Sequence, residues 1–332
     1  MAVRVAVDAM GGDHAPGVVI DGTIEALSEG DDLHVLLVGP EDTIRAELER
    51  HDTSDLALDI VDAPEVIGMA ESPASALKTK PRSSIHVGLG AHKQGAADAF
   101  ISAGNTGAVM AAAMFLLGRV PGVLRPALPG YFPTVKSYAI VVDVGAIVDA
   151  KPEHLVQFAQ MGSIYAERGM HRPAPTVGLL NVGEEPGKGN EAAKAAYELL
   201  NGRDDIHFVG NIEGRDLMHH AADVVVCDGF VGNIVLKLGE SLTTVLPQLI
   251  GAELKRQECS PEEVGVVKRV FGNVTKPFNY EEYGGTPLLG VNGNVLIGHG
   301  GSSPRAIAQM IRRAAEVVRQ DVCGATTAAL AG

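Results

Sequence analysis

The sequence predicts an α/β protein with a mostly parallel sheet and helices on both faces. Two observations carry that reading. Short apolar runs ending in glycine alternate with helical patterns along most of the chain, the rhythm of parallel strands joined by crossover helices. The composition agrees: 332 residues with 46% hydrophobic content, 40 glycines, 4% aromatic residues and no Trp describe an aliphatic core and many tight turns. A chain of this length can bury a large core. With no linker and no useful internal repeat, it is predicted as a single domain over 1–332 with a helical protrusion at about 236–278.

Val3 to Val7 is the first strand, ending in Asp8-Ala-Met-Gly-Gly-Asp-His-Ala-Pro16. Pro16 suits the first turn of a helix whose apolar face is Ile20, Ile24 and Leu27. Leu33 to Val38 and Leu56 to Val61 are strands flanking a polar helix from Glu41 to Arg50. Glu71 to Ser84 reads as a solvated, Pro-punctuated loop, with Lys78, Lys80 and Arg82 as a candidate positive rim. Ala99 to Ser102 is a strand, and Ala103-Gly-Asn-Thr-Gly107 turns into a helix through Leu117 that is apolar all round and therefore expected to be buried. Arg119 to Thr134 reads as a proline-rich link without period.

Tyr138 to Val142 is a strand ending in Asp143-Val-Gly145, followed by a helix from Pro152 to Arg168. Val177 to Val182 is a buried strand broken by Gly183, Pro186, Gly187 and Gly189, with a helix resuming at Glu191. Ile206 to Val209 and Val224 to Val226 continue the alternation, the latter ending in Cys227-Asp-Gly-Phe-Val-Gly-Asn233. Between Leu236 and Phe278 two helices follow one another without a strand, which predicts a protrusion or a subunit contact. Residues 253–276 hold five cations against four glutamates, and an apolar stripe with basic flanks fits a membrane surface as well as a dimer interface. Val295 to Ile297 is the last strand, and His299-Gly-Gly-Ser-Ser-Pro304 leads into a helix with Ile307, Met310, Ile311, Ala314 and Val317 inward. The tail after Cys323 is expected to fray.

Several function classes are excluded. A formal net charge of −14 leaves no basic excess for neutralising a duplex, so no nucleic acid is expected as partner. The cysteines, Cys227, Cys259 and Cys323, form neither a CxxC pair nor a Cys/His cluster, so reduced thiols and no metal site are expected. The chain enters its first strand without a signal-peptide pattern, and its longest apolar stretch, Ala108 to Leu117, is about half a membrane span. A cytoplasmic protein, at most peripheral to a membrane, is the expectation. GxGxxG, GxSxG and HExxH are absent, and His219 and His220 read as surface or cap residues.

What remains is a set of glycine turns, each after a strand: Gly11-Gly-Asp13, Gly104-Asn-Thr-Gly107, Gly187-Lys-Gly189, Gly229-Phe-Val-Gly-Asn233 and His299-Gly-Gly-Ser302. Taken alone, any one is an ordinary α/β connection, and the spacing around Lys188 does not meet the P-loop pattern. Together, at the carboxyl ends of parallel strands, they predict one small anion held by backbone amides, Asn and the Lys188 ammonium, with neither cofactor nor protein nucleophile. Gly11, Gly12, Asn105 and Thr106 are the expected phosphate cradle, and Asp13 and His299 are supports.

These turns, in this order, resemble the phosphate acyltransferase (PlsX) family of bacterial phospholipid synthesis. Its marks are Asp8-Ala-Met-Gly-Gly-Asp-His-Ala-Pro16, Ser102-Ala-Gly-Asn-Thr-Gly-Ala108, Leu179-Leu-Asn-Val-Gly-Glu-Glu185 with Lys188-Gly189, and Asn211-Ile-Glu-Gly-Arg-Asp216. Asp228-Gly-Phe-Val-Gly-Asn233, Tyr283-Gly-Gly-Thr-Pro-Leu-Leu-Gly290 and His299-Gly-Gly-Ser302 complete it. The resemblance implies a three-layer α/β/α fold like the isocitrate dehydrogenase group, with the helical pair as a membrane-facing tip. It implies acyl transfer from acyl carrier protein to inorganic phosphate by a homodimer peripheral to the inner face of the cell membrane, with a downstream glycerol-phosphate acyltransferase as a further partner. Lys188 and Asn233 match the family's candidates for catalysis. The chain departs from the pattern at Ile147, usually Asn, and Ala150, often Cys, and its tip carries Glu253, Glu258, Glu262 and Glu263. A phosphotransacetylase-like enzyme using acyl-CoA, a non-catalytic membrane-associated scaffold for lipid-synthesis enzymes, and a metal-dependent decarboxylating dehydrogenase are the alternatives.

Overall fold

Residues of the first strand face two different cores: Val3, Val5 and Val7 pack on one side and Ala6 on the other. That alternation, with apolar residues on both faces, is what a strand sandwiched between helix layers requires. The computed structural model describes residues 2–30, 32–275 and 283–331. In chain order the elements are β1 (Val3–Asp8), α1 (Gly17–Ser28), β2 (Leu33–Gly39), α2 (Glu41–Leu48), β3 (Leu58–Asp62), α3 (Pro73–Thr79), α4 (Ser84–Lys93), β4 (Ala99–Ser102), α5 (Thr106–Leu116), β5 (Pro129–Pro133) and β6 (Tyr138–Val142). They continue with α6 (Pro152–Ile164), β7 (Thr176–Asn181), α7 (Glu191–Asn201), β8 (His207–Glu213), α8 (Gly214–Leu217), β9 (Val224–Val226), α9 (Gly229–Arg256) and α10 (Pro261–Thr275). The last are β10 (Thr286–Pro287), β11 (Val295–Ile297), α11 (Pro304–Arg319) and α12 (Val322–Leu330).

The chain forms two compact units. Unit 1 comprises Met1–Pro129, Ile164–Pro173 and Tyr283–Gly332, and unit 2 comprises Gly130–Ser163 and Ala174–Glu282. In unit 1 the strand order is β10-β11-β4-β1-β2-β3. The pairs β11/β4, β4/β1, β1/β2 and β2/β3 are parallel, and β10/β11 is antiparallel. On one face α1 and α11 bring Ile20, Ile307 and Ile311 onto the sheet, and on the other α4 and α5 bring Ile85, Leu89 and Val109. Three layers follow directly.

In unit 2 the order is β5-β6-β9-β7-β8, with β6/β9, β9/β7 and β7/β8 parallel. Ile140, Val141 and Val142 of β6 and Val224, Val225 and Val226 of β9 are all buried, as befits strands covered on both faces. Phe158 and Met161 of α6 are fully buried. The step from strand to helix is fixed by side-chain caps: Asn190 accepts from Ala193 N at 2.8 Å before α7, and Asp228 accepts from Val231 N at 2.8 Å before α9.

Five local expectations are corrected. Within the loop expected over 71–84, Pro73 opens a short helix, α3, which buries Ala76. Helix α5 is not buried all round, since Phe115 is 78% exposed at its far end. The link expected over 119–134 contains β5, which is buried at every position. The tail does not fray: Asp321 caps α12 by accepting from Gly324 N at 3.2 Å, and Val322 and Thr326, one turn apart, are buried. The first helix of the protruding pair starts at Gly229 rather than Leu236, and the expected end of the second, beyond Thr275 to Phe278, lies outside the described residues.

Candidate active site

In unit 2 the register aligns strand ends along one edge: Val226 of β9 pairs with Val142 of β6 on one side and Leu179 of β7 on the other. The turns that leave these strands therefore emerge together, at the edge where parallel α/β sheets bind ligands. The turn after β7 is held by two side-chain amides. Asn181 donates to the Lys188 carbonyl at 3.1 Å, and Asn211 of the neighbouring β8 donates to the Glu185 carbonyl at 2.9 Å. Lys188 N also donates to the Glu185 carbonyl at 3.0 Å. Gly189 has φ +91°, and a Cβ there would lie 2.4 Å from Asn181 Oδ1, so only glycine permits this latch.

The Lys188 stem lies across Gly183, where a Cβ would sit 2.9 Å from Lys188 Cγ. Its side chain is 52% exposed, with Nζ 3.9 Å from Glu185 Oε2. An exposed pair of this separation is weak, which leaves the ammonium available to an anion.

Asn233 is exposed on the second turn of α9. The start of that helix is set by Asp143, a buried carboxylate at the end of β6 that accepts from Ile147 N at 2.6 Å, Ala146 N at 3.1 Å and Gly145 N at 3.3 Å. Ile147 O in turn accepts from Gly229 N at 2.8 Å. Ile147, where the chain departs from the family pattern, thus contributes both its N–H and its carbonyl to this loop. Gly232 then passes so close that a Cβ would fall 1.9 Å from the Asp143 carbonyl oxygen.

A cleft of about 920 Å³ opens at this edge of unit 2. Gly189 and Asn190 from the Lys188 turn, and Asp228 and Val231 from the start of α9, are among its walls; Lys188 and Asn233 themselves are not. Cys227 lines it too, but burial, and then the charges of Asp228 and Asp143, push its thiol well above the ordinary range. A thiol so protonated is no nucleophile.

Unit 1 gathers the other glycine turns. Asp8, buried at the end of β1, accepts from Ser102 Oγ at 2.6 Å and Met10 N at 3.1 Å, while Gly104 N donates to Ser102 Oγ at 3.0 Å. Asp13 N donates to the Gly300 carbonyl at 2.8 Å, bringing the 11–13 and 299–302 turns together. Gly11 is buried, Gly12 half-buried, and Asp13, Thr106 and His299 are exposed. The Asn105 side chain is fully committed: Oδ1 caps α5 through Ala108 N at 3.1 Å, and Nδ2 donates to the carbonyls of Gly68, Met69 and Glu71 at 3.2, 3.1 and 2.9 Å. What this turn presents outward is Thr106 and the helix N-terminus. His299 Nδ1 accepts from Gly301 N at 3.1 Å, a bond within its own turn. Of the expected positive rim, Lys80 pairs with Glu71, Arg82 lies 3.5 Å from Asp62, and Lys78 is exposed.

Sequence reasoning missed Asn181, Asn211, Asp143 and Asp8 as the residues that hold these turns. For Asp8, Asp143 and Asn181 the signal was a polar residue closing an apolar run, whereas Asn211 lies within the mixed run of β8 and carried none. Among the described residues no group of three His, Cys, Asp or Glu is placed to hold a metal ion, and no helix is long and apolar enough to cross a membrane.

Parallel sheets with helices on both faces and glycine turns at the carboxyl ends of the strands place the chain in the three-layer α/β class. The fold is similar to that of the EutD phosphotransacetylase of Staphylococcus aureus (TM-score 0.59, 15% identity, 96% of this chain and 94% of that one). It is also similar to 4-hydroxythreonine-4-phosphate dehydrogenase of Klebsiella pneumoniae (TM-score 0.54, 15% identity, 96% and 98%). Within that class, the chain belongs to the fatty acid synthesis protein family, which it matches over residues 3–325. It is 55% identical to the phosphate acyltransferase of Salinibacter ruber, over 98% of this chain and 96% of the relative. It is 48% identical to that of Desulforamulus reducens, over 96% and 94%.

Proposed function

We propose that the protein moves a fatty acyl group from the thioester of acyl carrier protein to inorganic phosphate, giving acyl phosphate for phospholipid synthesis. The observation that carries this reading is a half-exposed lysine latched in a glycine turn at a strand edge, in a chain 55% identical to a phosphate acyltransferase. A phosphate oxygen attacks the thioester carbonyl carbon, the C–S bond breaks, and the carrier leaves as thiolate. Phosphomonoesters have a second pKa near ~6, and inorganic phosphate, somewhat less acidic, is still present at neutral pH in substantial part as the dianion, which needs no general base. A thiolate of pKa about 8.5 needs little help to leave. Position and charge are what the protein must supply.

Lys188 binds phosphate and partly neutralises it, and Asn233 donates to the carbonyl oxygen as it becomes an oxyanion. In unit 1, taken by itself, the Gly12 and Thr106 backbone amides would recognise an anion, with Asn105 holding its turn in place, Asp13 and His299 as supports, and Gly11 N already donating to the Asp8 carbonyl at 3.2 Å. Neither cofactor nor metal enters the step. The acidic carrier docks on local cations, from the pool Lys78, Lys80, Arg82, Lys255, Arg256, Lys268 and Arg269. Of these, Lys80, Arg82 and Arg256 already have carboxylate partners.

The protein works in the cytoplasm as a homodimer at the inner membrane face. Supporting this, α9 and α10 expose Leu238, Leu246, Leu249, Val266, Val270 and Val274. A downstream glycerol-phosphate acyltransferase would receive the product there. Acyl phosphate formed from a long-chain acyl carrier and phosphate, beside acetyl-CoA and phosphate, tests the activity. Product from acetyl-CoA alone would favour the phosphotransacetylase reading suggested by the fold, and no product from either would favour a scaffold. Cosedimentation with anionic vesicles and the mass in solution test membrane attachment and dimer.

A further inference from the structure

We propose that the 920 Å³ cleft of unit 2 receives the aliphatic chain of the thioester substrate. The proposal rests on the acyl-transfer reading and adds to it the place where the substrate's carbon chain lies. Three observations support that occupant.

The first is position. The cleft shares walls with the Lys188 turn and with the first turn of α9, one helical turn before Asn233, so a chain seated there ends beside the groups assigned to the reacting carbonyl. The second is lining. Leu155 and Leu179 are buried in its wall, Leu180 and the small Ala192 and Ala193 are partly so, and Val148 and Val182 stand exposed on it. A space of this size falls in the ~300–1,000 Å³ range in which proteins bury most of a small ligand's surface.

The third is charge. The ionisable residues of the lining are Asp149, Glu191 and Asp228 against one cation, Lys151. Glu191 is paired with Lys194 at 3.1 Å, and the net negative side-chain charge left by Asp149 and Asp228 against Lys151 disfavours the several phosphates of a nucleotide or of coenzyme A. An uncharged hydrocarbon experiences no such penalty. The neutral Cys227 thiol fits an apolar guest as well.

The test is chain-length preference. Ala192→Phe fills the cleft from a half-buried position, and Val148→Trp narrows it from a position 55% exposed, where the fold has little to lose. Each would be assayed with C8 and C16 acyl carrier thioesters, with a thermal melt as fold control. Since a buried methylene is worth roughly fourfold in binding, the C16-to-C8 ratio of kcat/KM is expected to fall at least about tenfold. The KM for phosphate stays at the wild-type value. Unchanged ratios in both folded variants, with an active wild type, would overturn the cleft assignment alone. A wild type that forms no acyl phosphate from either thioester would overturn the acyl-transfer reading beneath it.

Discussion

Asn181 donates its side-chain amide to the carbonyl of Lys188 at 3.1 Å, while its own Oδ1 accepts from Val182 N at 2.8 Å. The last residue of β7 thereby ties the chain seven residues on, with Asn211 of β8 as a second tie. Asn181→Ala removes donor and acceptor together from a partly exposed position. The expected outcome is a loss of about 10- to 100-fold in kcat, because small misplacements of a binding group are costly, with a melting temperature close to wild type. Full turnover in a folded variant would show that the turn holds its shape without the amide.

Lys188→Met keeps a stem of similar length over Gly183 and removes the charge. Use of phosphate is expected to weaken more than use of the acyl carrier, read as a rise in the KM for phosphate that exceeds the rise for the carrier. Equal losses for both would assign the lysine a structural role.

Asn233→Ala is expected to lower turnover by roughly 10²–10³, the usual loss on deleting one oxyanion donor. The side chain is exposed, so urea unfolding should be unaffected. Unchanged turnover would remove Asn233 from the mechanism.

Two identical substitutions on the protruding helices are expected to act in opposite directions. Gly232→Ala drives a Cβ to 1.9 Å from the Asp143 carbonyl oxygen, with Cys227 Sγ at 3.0 Å as well, and should cost about 3 kcal/mol or more. Gly265→Ala on α10 meets nothing within 4 Å and should stabilise by ~0.5–1 kcal/mol through helix propensity alone. The urea unfolding midpoint decides for Gly232→Ala, and the rate of limited proteolysis within α10 decides for Gly265→Ala.

Burial raises Asp8 above the ordinary aspartate range, although hydrogen bonds from Ser102, Ser84 and Met10 N pull the other way. A carboxyl whose folded pKa is raised contributes stability that is complete below the unfolded value of about 3.9 and is lost as pH rises through the folded one. Asp8→Asn removes this dependence. The unfolding midpoint of the variant, relative to wild type, is therefore expected to increase as pH rises from about 4 toward neutrality. A constant difference across the series would show that burial of Asp8 imposes no such cost.

The rhythm of parallel strands was legible because strands buried on both faces, such as Val224–Val226, read as unbroken apolar runs. The α12 helix was not, because its small residues, Ala325, Thr326 and Ala328, carry little periodicity and its start depends on Asp321 in a left-handed conformation, φ 49°. Strand β5 was hidden for a similar reason: it begins and ends with proline, which counts locally against a strand, yet all five positions are buried. The turn carrying Lys188 could be picked out by its glycines, but not the amides of Asn181 and Asn211 that hold it, since a hydrogen bond across adjacent strands leaves no periodic trace. The apolar cleft was illegible throughout. Its walls come from residues 148–155, 179–182, 189–193 and 227–231, which only the strand order brings together.

Helix α10 has no buried residue over its described length, and Val266, Val270 and Val274 form a stripe facing water. A fifteen-residue helix is marginal in isolation, so this segment borrows little cooperativity from the sheet that carries it. It is therefore expected to behave as a low-stability foldon, opening and reclosing while the strands of unit 2 stay shut. Anything that shields its valines adds order there first, so amide exchange along α10 would register the arrival of a covering surface that leaves the rest of the protein unchanged.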